Sequence, residues 1–410
     1  MVSDNQLFHL FLFLCFFQIT CLHAQLCTQQ QTSALLQFKK QFSFNNDASY
    51  GNCAYHGIHS YPKMESWKEG SDCCSWDGVE CDNNTSQLIG LDLSCSWLNG
   101  TIHPNTTIFY YFPHLQSLNL AFNDFGMSPI SSEFSRFSSL THLNLSDSSF
   151  FGKVPIEVSF LSKLISLDLS NNYDLRLEEP GFELLVQNLT KVRELNLRDV
   201  NISSVVSNSL LNLTSLTLLD LSFCGLLGKL PDGIFHLSHL NELSILYNLT
   251  LTGYFPEFIN SSSPLQYLDL SFTNFSGELP DSIGNLKSLK KLAAYDCKFY
   301  GSIPTSLGNL TAMTHLEIGY NNFTGMLPSS LSNLGNLVRL QVAGNNFEGP
   351  LPSQIIGFPN LTLLSLDDNL INGTIPSWVF SLPALNHLSI RNNKLTGHVS
   401  KFNLQTRVPL

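Results

Sequence analysis

The chain has 410 residues, a length that would suggest two or three domains in a sequence without internal repetition. Charged residues make up only 13% and the formal net charge is -11. This acidic balance excludes a nucleic-acid partner, which calls for clustered Lys and Arg, and it disfavours adhesion to anionic membrane surfaces.

Residues 1–24 read as a secretory signal. Leu7 to Phe17 is an apolar stretch too short to span a bilayer, and the small residue Ala24 offers a cleavage point before Gln25. The signal departs from the usual pattern in two respects: it has no Lys or Arg before the apolar stretch, and Leu22 is bulky for its position. After residue 25 no apolar run is long enough to cross a membrane.

Residues 25–87 are predicted to form an amino-terminal cap. Thr28-x-x-Gln31 has the form of a capping box, and Leu35, Phe38 and Phe42 follow at helical spacing. Of the ten cysteines, Cys15 and Cys21 fall in the signal. Cys27, Cys53, Cys73, Cys74, Cys81 and Cys95 crowd together after it, as in a disulfide framework formed in an oxidising compartment. Zinc is disfavoured because adjacent Cys73 and Cys74 lack the two-residue gap that lets two thiolates chelate one ion. Cys74 and Cys81 can close a small loop, which leaves Cys73 to reach back to Cys27. Cys53 and Cys95 can make a third bridge, but spacing does not settle the connectivity.

Residues 88–410 carry about thirteen copies of one pattern. The glycine of L-x-G-x-[IVL]-P, or of a close variant of it, most often with another apolar residue in place of the leucine, falls at Gly228, Gly253, Gly277, Gly301, Gly325, Gly349, Gly373 and Gly397, with a step of 24 residues after a first step of 25. Upstream of each lies L-x-x-L-x-L, as in Leu265-Leu268-Leu270 and Leu361-Leu364-Leu366. A period in the twenties with L-x-x-L-x-L-x-x-N is the leucine-rich repeat. The two leucines of L-x-L point inward from a short strand, and stacking of repeats buries them in one continuous core. Asn123, Asn172, Asn321, Asn345, Asn369 and Asn393 occupy the inward position after the strand. An amide there can bond backbone groups of its own and adjacent turns, forming a ladder. Cys224 and Cys297 hold the same position and, 73 residues apart, are predicted to stay reduced and buried. Spacings of 27 and 28 residues, between Leu91 and Leu118 and between Leu167 and Leu195, predict insertions away from the strand face.

The polar positions of the strands form one concave face, the surface that repeat proteins use for binding. In the slot just before the ladder, Phe223, Tyr247 and Phe272 fall side by side in repeats six to eight, followed by Asp296 and Tyr320. Tyr295, Glu317, Arg339, Asp367, Asp368 and Arg391 lie on the same sheet, so aromatics flanked by charges make a candidate partner-binding surface. The competing reading is that the aromatics only shield the turn. Fifteen Asn-x-Ser/Thr sequons occur, with Asn105, Asn144, Asn188, Asn212, Asn309 and Asn360 as candidate glycosylation sites. Asn144 lies mid-strand in repeat three. From repeat six onward no mid-strand position heads a sequon, although Asn248 does so in the ladder, so the strands of repeats six to thirteen are the expected partner face.

Catalysis has no foothold. No nucleotide-binding glycine loop, kinase signature or G-x-S-x-G elbow is present. His56-x-x-His59 and His236-x-x-His239 lack a ligand set for a metal, and the concave carboxylates are dispersed rather than paired. No cofactor is expected.

The segment C-C-S-W-D-G-V-E-C (73–81), the helix text A-L-L-Q-F-K-K-Q-F (34–42) and the 24-residue repeats resemble plant leucine-rich-repeat receptor-like proteins. The cap insert S-Y-P-K-M-E-S-W and the first repeat L-D-L-S-C-S-W-L-N-G look like the Cf class of disease-resistance receptors. The resemblance covers essentially the whole chain. It implies an α/β fold, a right-handed leucine-rich-repeat solenoid of plant-type 24-residue repeats with a disulfide-bonded helical amino-terminal cap. It further implies a non-catalytic ectodomain, extracellular and held at the plasma membrane, that binds a pathogen-derived or endogenous protein or peptide ligand and signals through a kinase-bearing co-receptor. Members of that class carry more repeats, a carboxy-terminal cap and a membrane helix, so the chain reads as the amino-terminal part of such an ectodomain. The alternative is a soluble secreted inhibitor of a pathogen cell-wall-degrading enzyme, similar to the polygalacturonase-inhibiting proteins. Those inhibitors are shorter, with a carboxy-terminal cap and without the long cap insert.

Overall fold

The computed structural model describes residues 27–259, 263–353 and 357–397; the signal segment 1–24 and the tail from residue 398 lie outside the described residues. The cap opens with the helix Gln29–Lys39. Thr28 accepts from the Gln31 amide and the Gln31 side chain accepts from the Thr28 amide, which completes the predicted capping box. Leu35 and Phe38 are fully buried on the inner face of this helix. Phe42 departs from the expectation, because the helix ends at Lys39 and Phe42 starts a short strand, Phe42–Phe44. That strand pairs antiparallel with Leu98–Gly100 of the first repeat. Pairing with the solenoid wins over one more helical turn, and the Phe42 ring still reaches the core, edge-on to Phe38 and Phe125.

Three disulfides form: Cys27–Cys73, Cys74–Cys81 and Cys53–Cys95. The sulfurs of Cys27, Cys73 and Cys74 come within 4.8 Å of one another because two bridges adjoin, and none of the three is free to ligate a metal. The Cys53–Cys95 bridge ties the cap insert to repeat one. The insert also bonds repeats one and two directly: the Ser49 hydroxyl donates to the Phe122 carbonyl (2.6 Å), and the Tyr61 amide donates to the Cys95 carbonyl (3.1 Å).

Among the described residues the main sheet has fourteen strands. Val79–Cys81 of the cap is antiparallel, and the other thirteen, from Leu88–Asp92 to His387–Ser389, are parallel and follow chain order, one per repeat. The register repeats without slip, so that Leu268, Leu292, Leu316, Leu340, Leu364 and Leu388 stand in one row. A slip of one residue would turn every leucine outward, so burial enforces this register.

A second parallel sheet of seven short strands, from Thr252–Gly253 to Lys394–Leu395, was not expected. It forms from the L-x-G segments, whose two to five residues are too few to show an alternating pattern. Gly301 (φ +78°) and Gly325 (φ +76°) end two of its strands in a conformation that side chains resist. Behind it the rings of Phe299, Phe323 and Phe347 stack nearly parallel at 6.2 and 6.1 Å, a direct product of the 24-residue period. Short 3-10 helices opened by Pro280, Pro304, Pro328 and Pro376 fill the outer arc. The two long spacings are absorbed there as helices Ile108–Tyr111 and Gly181–Asn188, and the strand face is undisturbed.

The ladder forms as expected. Asn321 Nδ2 donates to the carbonyls of Ala294 (2.7 Å), Ile318 (3.2 Å) and Gly319 (3.0 Å), while Oδ1 accepts from the Phe299 amide (3.0 Å). Cys224 and Cys297 are reduced and buried. Each thiol imitates the amide donor, reaching the Leu197 and Leu270 carbonyls at 3.1 and 3.2 Å, and burial pushes both thiols above their ordinary pKa.

Candidate ligand-binding face

Each strand ends in a turn whose residue just before the ladder adopts a left-handed backbone. In all thirteen repeats φ at this slot lies between +50° (Asp147) and +66° (Gly344). The turn aims the ladder side chain inward while the slot amide continues the parallel pairing; Phe223 N donates to Leu246 O and Tyr320 N to Ala343 O. An L-residue pays about 1–2 kcal/mol for this conformation, and Asn, Asp and Gly tolerate it best. Asp147, Asn171, Asp199, Asp296, Gly344, Asp368 and Asn392 fit that preference. Phe122, Phe223, Tyr247, Phe272 and Tyr320 do not, so the backbone did not select those rings.

Four of the five belong to one continuous ledge. Ring centroids are separated by 4.8 Å (Phe223–Tyr247), 5.6 Å (Tyr247–Phe272), 5.5 Å (Phe272–Tyr295) and 5.0 Å (Tyr295–Tyr320). Repeat nine has Asp296 in the slot, and Tyr295, one residue earlier, supplies the ring there. The Arg198 guanidinium covers the first ring at 4.8 Å. At the far end the Tyr320 ring lies against Gly344, where an added Cβ would come within 2.9 Å of it. Tyr247 and Tyr320 are nearly half exposed. The Tyr295 hydroxyl, pushed up to about 12 by burial and by neighbouring Tyr320, is held as a proton donor. The fifth ring, Phe122, is covered by His56 of the cap insert (5.2 Å).

The predicted charged residues are more dispersed. Glu317 and Arg339 pair across neighbouring strands at 3.3 Å. Asp367 is corrected: it is buried, and its carboxylate accepts from the Arg391 amide and the Ser389 hydroxyl and pairs with the Arg391 guanidinium. These three donors occupy most of its acceptor sites, and burial leaves little of the carboxylate to a partner. Asp368 accepts from Asn392, and the Arg391 side chain projects into solvent; both lie beyond the ledge. Sequence reasoning missed Arg198 and the left-handed slot. The recurrence of Asp and Asn just before the ladder was the available signal for the slot; nothing marked Arg198.

Among the candidate glycosylation sites, Asn105, Asn212, Asn309 and Asn360 are exposed and lie outside the main-sheet strands, whereas Asn144 and Asn188 are half-buried. Asn248 heads a sequon but is fully buried, its Nδ2 donating to the carbonyls of Leu221 and Ile245. A glycan on that nitrogen would remove the ladder bonds, so glycopeptide mapping of the protein is expected to find Asn248 unmodified.

The strand face of repeats four to seven is acidic. Burial raises the pKa of Asp168, Asp199 and Glu242, and the charge of Asp220 adds to each shift. A carboxyl whose folded pKa is raised contributes stability that is fully present below its unfolded value and is lost as pH rises through the folded value. Asp220 caps its turn by accepting from Ser222 N, a task Asn119, Asn144 and Asn196 perform in other repeats. Asp220→Asn is therefore expected to stabilise by about 0.5 kcal/mol at pH 7 and by nothing near pH 4, measured as the shift in thermal midpoint.

A capped stack of parallel strands with a core of repeated leucines defines the class. The chain belongs to the leucine-rich-repeat family: residues 184–399 match the leucine-rich repeat region and residues 28–82 the leucine rich repeat N-terminal domain. Among curated proteins it is similar to Receptor-like protein 6 of Arabidopsis thaliana, 40% identical over 248 residues covering 58% of this chain and 25% of that one. It is likewise similar to Receptor-like protein Cf-9 of Solanum pimpinellifolium, 41% identical over 251 residues covering 60% of this chain and 29% of that one. The chain thus spans between a quarter and three tenths of the length of these curated relatives. Among solved structures, a TDR receptor superposes with TM-score 0.65 at 30% identity, covering 78% of this chain and 58% of that one. The plant peptide hormone receptor RGFR1 in complex with RGF2 gives 0.62 at 25% identity, covering 78% and 61%. No helix among the described residues is long and apolar enough to cross a membrane.

Proposed function

We propose that the aromatic ledge and adjoining strand face bind a pathogen-derived or endogenous peptide or protein outside the cell, as part of the ectodomain of a defence receptor-like protein. The observation that carries this reading is the ledge itself: rings touching across five consecutive repeats, four of them held at backbone positions that disfavour them and two, Tyr247 and Tyr320, nearly half exposed. Curated relatives named receptor-like proteins and a structural neighbour described as a plant peptide hormone receptor in complex with RGF2 support it. The three disulfides of the cap suit an extracellular location. The resemblance to receptors without a kinase of their own makes a kinase-bearing co-receptor the route of signalling.

The test uses a photoreactive benzoylphenylalanine at Tyr247 on the ledge or at Tyr300 on the second sheet, both substantially exposed. In apoplastic fluid from challenged leaves, saturable crosslinking to a peptide or protein is expected at Tyr247 and not at Tyr300. A Tyr320→Asn substitution in the Tyr247-labelled protein is expected to reduce it about tenfold. Stability of Tyr320→Asn should stay within about 1 kcal/mol of the parent, because relief of left-handed strain offsets one lost ring contact. Equal labelling at both positions, or indifference to Tyr320→Asn, overturns the proposal.

A further inference from the structure

At the start of the ledge a cavity of ≈ 500 Å³ opens between Phe223, Tyr247 and the turns that leave the ladder. Gly225 makes the room for it. The equivalent positions in neighbouring repeats hold Asn201 and Leu249, whereas a Cβ on Gly225 would come within 3.1 Å of the Ser203 hydroxyl. Tyr173 and Leu249 stand at the cavity 75% and 57% exposed, so its apolar walls have little packing from the chain itself. The lining includes one carboxylate, Asp199, and no basic side chain.

Asp199 is the unusual member. Its side chain is 15% exposed, and its ion pair is to Arg198 Nε at 3.5 Å, well beyond the roughly 2.7–2.9 Å of a charge-assisted hydrogen bond. Among the described residues its carboxylate accepts no hydrogen bond. Burial and the charge of Asp220 raise its pKa, a penalty that a further cation would relieve. Arg198 illustrates the chemistry, with its guanidinium 4.8 Å from the centre of the Phe223 ring beside that carboxylate.

We propose that this cavity is a specificity pocket for an arginine or lysine side chain of the ligand, with Asp199 receiving the charged head and Tyr173, Phe223, Tyr247 and Leu249 packing its stem. The proposal rests on the ligand-binding reading of the ledge and adds the chemistry of the residue recognised. A long side chain with an apolar stem and a cationic tip matches apolar walls that end in one carboxylate. Charge complementarity then selects it over a neutral side chain of equal length.

Random dodecapeptides displayed on phage and selected on the secreted, glycosylated chain provide the test. Enriched peptides are expected to share a basic residue, and its replacement by norleucine should weaken binding about tenfold or more. Against Asp199→Asn, the basic and norleucine peptides should bind equally. That variant keeps the fold, because Asn171 and Asn392 already occupy the same left-handed slot. A norleucine penalty that is absent, or that survives undiminished in Asp199→Asn, overturns the pocket. So does displacement of the peptide by neutral cell-wall oligosaccharides in place of basic peptides, or a glycan fully occupying Asn201, whose sequon sits in the lining. Enriched peptides that ignore a Tyr295→Ala/Tyr320→Asn pair would count against the ledge reading instead, so the two failures are distinguishable.

Discussion

Asn321→Ala is expected to destabilise the solenoid by about 3 kcal/mol. The amide is buried, donates to three carbonyls and accepts from Phe299 N, so truncation orphans the Phe299 amide hydrogen and the Ala294 carbonyl. It also leaves the Ile318 and Gly319 carbonyls with one donor each, Asn345 Nδ2 and Asp296 N. Asn321→Cys should cost about half as much. The thiols of Cys224 and Cys297 show that cysteine keeps the donor bonds to the adjacent turn, while the acceptor for the preceding repeat is lost. Because each repeat contacts only its neighbours, the loss should appear first as faster hydrogen exchange in repeats nine to eleven. Equal costs for Ala and Cys in denaturant unfolding would show that the bonds contribute little and that only the volume at this position matters.

The second large effect is expected from Cys53→Ser/Cys95→Ser. The chain-entropy relation gives about 4 kcal/mol for a bridge spanning 42 residues, against about 2.5 kcal/mol for Cys74–Cys81, which spans 7. The loss should be local. Apart from the bridge, hydrogen bonds of Ser49, Ser60, Tyr61 and Lys63 and the His56–Phe122 ring contact hold the insert on repeats one and two. Without the bridge the insert should therefore become more susceptible to proteases and uncover the Phe122 ring. The unfolding midpoint of the later repeats should not move. Limited proteolysis with mass mapping reads the first effect and repeat-resolved hydrogen exchange the second. A global fall in stability would mean that the insert nucleates the whole stack.

Much of the architecture was legible in the sequence because a repeat protein encodes itself locally. The 24-residue glycine step, the leucine triplets and the ladder asparagines each act within one turn or between adjacent turns, so the period alone specified the parallel sheet, its register and the burial of Cys224 and Cys297. The short Cys74–Cys81 loop and the reach of Cys73 back to Cys27 were candidates for a similar reason, whereas spacing left the connectivity, and Cys53–Cys95 above all, to be decided by the structure. Phe42 was misplaced because helical spacing continues past Lys39, and only the available edge of Leu98–Gly100 draws the chain into a strand.

The site was legible only in part. Sequence alone placed Phe223, Tyr247 and Phe272 in successive repeats, and these do stack. It could not separate Asp367, which is buried and bonded to Ser389 and Arg391, from exposed Asp368, because both are aspartates one residue apart on the same turn. Nor could it show that Tyr295 completes the ledge from a different slot, that Arg198 covers its first ring, or that Gly225 opens a cavity beside Asp199. By itself the sequence determined the repeat, the core and the cap, since those depend on periodic burial and short-range bonding. The tertiary structure alone decided which rings touch, which charges are spent and where space remains, since these depend on backbone conformation and on distances between side chains a full repeat apart.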